Sequence, residues 1–298
     1  MPSARAGFFL VSITANAALG CLIQAAAFPL LPLARVVPPL AGLYRRVCDA
    51  VGCAWMAYVS WYLEQVYGVR YVVTGAKLTA GEAGLVLCNH RTRVDWLMLW
   101  PWFWRAGTLG HLKIVMKAPL KKAPFLGWAV QHMHCLFLDR NWAKDEQRIK
   151  QSMEHLTSTR TRGPAPTVLI FPEGTDLSES NVEKSHKFSE EKGLPKFDHV
   201  LHPRAKGALA CIGQLRQTST HLLDLTMAYE DYQPGERPSD GSLVKGRLPK
   251  AVFVHVDKYA LSEVPEEEAE FTKWLRDRFA KKEKFLANHY KNAVPAQP

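Results

Sequence analysis

The stretch Gly84 to Trp96, GLVLCNHRTRVDW, decides how the chain is read. Its apolar run Leu85 to Cys88 has the length and content of a buried strand, it stops at Asn89-His90, and from Val94 onward Trp and Leu recur as in a helix. His90 therefore falls in a strand-to-helix turn. Side chains five apart in a regular helix point about 140° away from each other, so His90 and Asp95 meet only if the histidine stays in the turn and the aspartate opens the helix. In that arrangement the carboxylate fixes the tautomer of the imidazole and leaves its other nitrogen as a general base. The blander alternative is a histidine that caps the helix and an aspartate that favours its positive end.

Outward from this turn, strand and helix signals alternate as in an α/β layer fold. Strands are expected at Tyr71 to Val73, Leu85 to Cys88, Cys135 to Leu138, Val168 to Phe171, Leu222 to Ala228 and Val252 to Val256. Helices are expected near Val94 to Arg105, Trp142 to Arg160 and Arg204 to Arg216. Gln233 to Leu248 reads as a polar loop, and Pro265 opens an amphipathic C-terminal helix with Phe271, Trp274, Leu275 and Phe279 at helical spacing. The organisation this gives is an N-terminal membrane-associated segment over 1–68, a catalytic α/β domain over 69–262 and a C-terminal helix and tail over 263–298.

Three further clusters fall where an α/β sheet builds a site. The strand ending at Leu138 runs into Asp139-Arg140, which places a guanidinium at a strand terminus. The strand ending at Phe171 runs into Pro172-Glu173-Gly174-Thr175, a tight turn whose glycine admits close approach of a ligand. Lys117, Lys121 and Lys122 supply positive charge between them. A guanidinium suits a phosphate in bidentate fashion and a lysine suits it as a point charge. Each cluster alone is also compatible with an ordinary turn or a surface ion pair.

The N-terminal segment points to lipid. No charged residue occurs from Ala6 to Ala34, and Phe8 to Leu33 is long enough to span a bilayer, although Asn16, Gln24, Pro29 and Pro32 interrupt it. Arg5 before this run and Ala15-Asn16-Ala17 within it resemble a cleaved leader, but the apolar run continues well past that site. A second apolar segment, Val47 to Leu63, carries Trp55, Tyr58, Trp61 and Tyr62, the rings favoured at a membrane interface, and also Asp49. The pair reads as a helical hairpin in or on one leaflet. Arg35, Arg45 and Arg46 follow the first run and place the downstream body on the cytosolic side.

Net charge is +10, which favours anionic partners. With so apolar an N-terminus and no base-stacking module, membrane lipid is expected and nucleic acid is not. The six cysteines are scattered without CxxC pairs and read as reduced, buried thiols. There is no Gly-x-Ser-x-Gly elbow, Walker loop or Gly-x-Gly-x-x-Gly fingerprint, so serine hydrolase, P-loop and dinucleotide readings lack support. His132 and His134 would share one face of a strand but lack acidic or cysteine partners at ligand spacing, so no metal site is expected.

Taken together, Asn89-His90 with Asp95, Phe137-Leu138-Asp139-Arg140, and Phe171-Pro172-Glu173-Gly174-Thr175 resemble, in order, the first three motifs of the glycerolipid acyltransferases related to 1-acylglycerol-3-phosphate acyltransferase. The wording of NHRTRVDWLMLW, FPEGTDLSESN and VLHPRAKG is most similar to the lysocardiolipin acyltransferase branch. The family's fourth motif carries a proline after an apolar strand, whereas LLDLTMAYEDY has none until Pro234. The resemblance implies a glycerol-3-phosphate acyltransferase-like mixed sheet flanked by helices, and transfer of an acyl group from acyl-CoA to a lysophospholipid. It also implies catalysis by His90 and Asp95. Arg140 and Lys117 would grip the acceptor's phosphate, with Glu173, Gly174 and Thr175 forming the same pocket and its turn. No cofactor beyond the acyl-CoA co-substrate is implied, and the implied address is the endoplasmic reticulum membrane. The rival readings are a thioesterase using the same pair on water and a non-catalytic phospholipid-binding protein.

Overall fold

The structure, a computed structural model, describes residues 4–27, 29, 32–33, 36–77, 83–139, 141–157, 165–230 and 238–293. Its centre is strand β2 (Ala83–Cys88), flanked by β5 (Thr167–Ile170) and β6 (His221–Glu230), both parallel to it. Beyond β5 lie β3 (Leu112–Lys117) and β4 (Leu136–Leu138), again parallel. Beyond β6 lies β7 (Ala251–Ala260), antiparallel to β6, and β1 (Arg70–Gly75) closes the sheet parallel to β7. The order is β1-β7-β6-β2-β5-β3-β4. Because β4, β3, β5, β2 and β6 run the same way, their C-terminal ends share one edge, the edge where ligands of α/β sheets bind.

Both faces of the central strands are covered, which is why they read as continuous apolar runs rather than alternating ones. Val86, Cys88, Ile114 and Leu169 pack under α2 (Pro38–Trp61), α3 (Asp95–Met98) and α4 (Trp100–Arg105). Leu85, Leu87, Val168 and Ile170 pack under α6 (Trp142–Thr157), α8 (Ala205–Leu215) and α10 (Glu268–Ala293). The expected strands are all present, and α6, α8 and α10 fall where helices were expected, residues 158–160 lying outside the described residues. The expected helix at Val94 to Arg105 is broken into α3 and α4 at Leu99, with Pro101 in the first turn of α4.

Strand β3 and helices α5 (Leu126–His132) and α7 (Glu179–Lys192) were not anticipated. In β3 a lysine interrupts the apolar pattern. Lys113 is nonetheless buried, with its Nζ 2.6 Å from the Asp49 carboxylate of α2, a partner 64 residues away. The expectation for His132 and His134 is corrected: His132 ends α5 and His134 sits in the following turn at φ 56°, so they share no strand face.

The N-terminal hairpin is present as α1 (Ala4–Ala26) packed on α2, but its second limb is not laid open to lipid. Trp55 stacks edge to face on Trp100 at 5.2 Å, Tyr62 packs on Phe9 at 4.7 Å, and Asp49 is held inside by Lys113 and Arg45. Of the expected interfacial rings, Trp61 is the one most exposed. Arg45, read as a topology signal, is buried in an ion pair with Asp49 and donates to the Leu156 carbonyl. Helix α1 differs: it is long and apolar enough to cross a membrane, and Phe8, Val11, Leu19 and Leu22 stand uncovered on it. The Gln233 to Leu248 stretch lies partly outside the described residues, and its described part holds a short helix, α9 (Asp240–Val244).

Candidate active site

Strand β2 ends at Cys88, and Asn89 fixes the exit: its side chain accepts from the Met227 amide at 2.7 Å and donates to the Met227 carbonyl at 3.0 Å. His90 follows in the turn, and Asp95 is the first residue of α3, which brings the imidazole Nδ1 to 3.0 Å from Asp95 Oδ2. The His90 carbonyl is tied down by the Leu177 amide at 2.9 Å, and its ring stacks on Phe171 at 4.4 Å. Asp95 has no solvent-exposed surface, so its charge depends on donors around it. The Thr92 amide donates to Oδ2 at 2.9 Å, the Thr92 hydroxyl to Oδ1 at 3.0 Å and the Tyr229 hydroxyl to Oδ1 at 2.5 Å. A carboxylate so held keeps Nδ1 protonated and turns the other ring nitrogen into an acceptor, the electronic state of a base.

The PEGT turn is adjacent because β2 and β5 are neighbours in register, Leu87 beside Ile170. Gly174 adopts φ 71°, the left-handed conformation that a side chain would strain. Glu173, expected to shape the acceptor pocket, does not line it. Its carboxylate is buried between two backbone donors, the His90 amide at 2.8 Å and the Leu201 amide at 3.0 Å, and so clamps the His90 turn from behind. Burial outweighs these two donors and raises the Glu173 carboxyl well above the ordinary range. Thr175 is likewise absent from the wall of the cavity, and its hydroxyl accepts from the Asn181 side-chain Nδ2 at 3.0 Å. Gly174 does line the cavity, as does Lys117 at the end of β3. Arg140 lies outside the described residues, immediately after Asp139, which pairs with Arg148.

The cavity has a volume of about 1060 Å³ and passes His90. On one side it runs between Ile13 and Ala17 of α1, Trp55 of α2, and Leu97, Trp100 and Val130, an apolar slot. On the other it opens past Gly174 toward Arg204, Lys206 and Arg276. An apolar chain in the slot and phosphorylated groups outside it would therefore meet at the imidazole.

Two supports of this site carry no local signal in the amino-acid pattern. Tyr229 sits in a plain apolar strand run, and only the pairing of β6 beside β2 brings it to Asp95. Helix α10 supplies the other. Lys282 is buried against Asp224 at 2.6 Å and also donates to the Leu225 carbonyl, pinning β6. Its neighbour Glu283 accepts the amides of Asp198, His199 and Val200 at 3.0, 2.8 and 3.1 Å, next to the Leu201 amide held by Glu173. Two adjacent residues of the last helix thus support the site, Lys282 reaching Asp95 through β6 and Glu283 reaching His90 through residues 198–201 and Glu173.

A family model described as Acyltransferase matches residues 70–222, and one described as Acyltransferase C-terminus matches residues 242–294. The chain is 34% identical over 292 residues to lysocardiolipin acyltransferase 1 of Danio rerio, a match covering 97% of this chain and 72% of that protein. It is 32% identical over 289 residues to 1-acyl-sn-glycerol-3-phosphate acyltransferase 2 of Brassica oleracea, covering 95% and 69%. Against lysophosphatidylinositol acyltransferase 10 of Caenorhabditis elegans it is 32% identical over 261 residues, covering 85% and 64%. The crystal structure of the 1-acyl-sn-glycerophosphate acyltransferase PlsC from Thermotoga maritima superposes with a TM-score of 0.51 at 13% identity, over 95% of this chain and 100% of that one, a likeness of fold.

Proposed function

The chain belongs to the acyltransferase family that includes lysocardiolipin and 1-acyl-sn-glycerol-3-phosphate acyltransferases, and from that premise we propose that it moves a fatty acyl group from acyl-CoA to the free hydroxyl of a lysophospholipid at a membrane surface. The observation that carries this reading is His90 on the wall of a cavity with an apolar slot, its Nδ1 held 3.0 Å from the buried Asp95 carboxylate behind it. A lipid hydroxyl is a weak nucleophile near neutral pH and needs a base in hydrogen-bond reach. His90 accepts its proton as the oxygen attacks the thioester carbonyl, and Asp95 balances the imidazolium that forms. When the tetrahedral adduct collapses, the C–O ester bond is kept, the C–S bond breaks, and His90 returns the proton to the departing sulfur. No acyl-enzyme is invoked. Cys88, the nearest thiol in sequence, is fully buried, and burial raises it well above the ordinary cysteine range.

Lys117 and Arg140 are assigned to the acceptor's phosphate, Gly174 to the turn that lets it approach, and Glu173 and Thr175 to holding that turn. The His90, Thr92 and Gly174 amides already donate to Glu173, Asp95 and the Phe171 carbonyl, so the oxyanion must find other donors. Helix α1, with its uncovered apolar side chains, suits insertion into the membrane, and the endoplasmic reticulum with a cytosolic catalytic domain is the proposed setting.

The test is thiol release from oleoyl-CoA by membranes carrying the wild type or His90→Ala, with and without lysophosphatidate, lysophosphatidylinositol and monolysocardiolipin. Release that requires both an acceptor and His90 supports the proposal. Release that requires His90 but no acceptor would make the protein a thioesterase, and a His90→Ala variant as active as wild type would remove the pair from the chemistry.

A further inference from the structure

The cavity extends past His90 to a second cationic end that the motifs leave without a role. Three cations line it there, Arg204, Lys206 and Arg276, and the carboxylates of the lining are Asp145, Asp176, Asp240 and Glu268. Those carboxylates are already engaged: Glu268 lies 3.6 Å from Lys206, Asp145 Oδ1 accepts the Asp139 amide at 2.8 Å, and Asp176 and Asp240 lie 3.8 and 4.0 Å from Arg93. Neither guanidinium has an ion-pair or hydrogen-bond partner among the described residues, and the Arg276 Nε is buried without one. Leaving a buried donor unmatched costs free energy unless a ligand supplies the acceptor.

Where these groups sit is also informative. Arg204 leaves the chain at the foot of α8, its own amide bonded to the Pro172 carbonyl, and its side chain lies across Gly174, with Cδ 3.7 Å from where a Cβ on that glycine would stand. It is thus on the cavity side of the PEGT turn. Helix α8 begins immediately after it with no side-chain cap and no acidic residue in its first turn, so the helix end adds its partial positive charge to the same place. Trp142 lines this end too, under the Lys206 ammonium at 5.7 Å, and offers a ring face beside the cations. Lys117 reaches the cavity from β3 instead, separated from this cluster by β5 and its turn.

We propose that Arg204 and Arg276, with Lys206, form a separate subsite for a multiply phosphorylated, base-bearing group, and that this group is the nucleotide end of the thioester donor. The assignment to the donor rests on the acyl-transfer reading above. Transfer between two phosphorylated substrates needs two anion sites, and besides Lys117 at the end of β3 the cavity holds this second cationic cluster at the turn after β5. Planar guanidiniums suit phosphate oxygens in bidentate fashion, and the Trp142 ring suits a purine face.

The experiment compares wild type with Arg204→Gln, Arg276→Gln and the double variant, in detergent-solubilised full-length protein whose melting temperature is checked for each. Binding of CoA and of adenosine 3′,5′-bisphosphate is measured by calorimetry, and KM is measured separately for oleoyl-CoA and for the lysophospholipid. The proposal expects both nucleotides to bind wild type, each substitution to weaken them about tenfold, and the donor KM to rise with the acceptor KM unchanged. Nucleotide affinity unaltered in a folded double variant would overturn it, as would failure of wild type to bind either nucleotide. A rise in the acceptor KM alone would move the subsite to the lysophospholipid's phosphate and overturn the donor assignment. Arginine-dependent nucleotide binding in a protein that transfers no acyl group would keep the subsite and remove the acyl-transfer reading.

Discussion

Replacing Tyr229 with Phe removes one hydroxyl from a fully buried position and nothing else. Asp95 would lose the donor at 2.5 Å but keep the Thr92 amide, the Thr92 hydroxyl and His90. A hydrogen bond to a charged group contributes about 1.5–3 kcal/mol. If all of it holds Asp95 in place as the imidazolium forms, kcat falls roughly 10- to 150-fold. That is less than the ~10²- to 10⁴-fold expected for His90→Ala, because the base itself remains. The assay is initial-rate thiol release by Tyr229→Phe, alongside its thermal melt. An unchanged kcat in a folded variant would refute the reasoning and reduce Tyr229 to packing. A loss as deep as that of His90→Ala would refute it from the other side, by placing the phenol in the proton transfer.

Lys113→Met strands Asp49 without its 2.6 Å partner in a buried site and should cost about 3–5 kcal/mol in chemical unfolding, with Asp49→Asn added in the same chain recovering part of it; full independence of the two would contradict the pairing. Glu283→Gln keeps the side chain's size but weakens its hold on three backbone amides, so kcat should fall with little change in donor KM, whereas a pure stability loss with unaltered kcat per folded molecule would show that α10 does not position the site. Burial raises the Glu173 carboxyl in the folded state, so between the ordinary glutamate value near ~4.3 and that raised value the folded protein holds a proton the unfolded chain releases. This contribution to stability is full below the lower value and is lost as pH rises through the higher one. Unfolding free energy measured against pH should show that loss in wild type and a flatter curve in Glu173→Gln; equal slopes would contradict it.

Local chemistry that repeats within a few residues was legible in the sequence; what depends on distant partners was not. The His90–Asp95 pairing followed from a turn and a helix start five residues apart, and it is met at 3.0 Å. The apolar runs of β2, β5, β6 and β7 announced a covered sheet because neither face is open to water. Strand β3 escaped because Lys113 is apolar in environment only once Asp49 arrives from α2. For the same reason Trp55 and Tyr62 read as interfacial rings, whereas Trp100 and Phe9 enclose them. Glu173 is placed in the pocket by the resemblance alone, and its clamping role is not legible because its two amide donors lie 83 and 28 residues away. Helix α7 has few apolar residues and no clear stripe, so periodicity could not reveal it.

The central claim is that His90, oriented by Asp95, takes the proton of a lipid hydroxyl in direct attack on a thioester. Its most direct test is acceptor-dependent thiol release by full-length protein in membranes, wild type against His90→Ala, at matched expression. The account predicts release that requires a lysophospholipid and falls by ~10²- to 10⁴-fold in the variant. Acceptor-dependent release that persists undiminished in His90→Ala would contradict it.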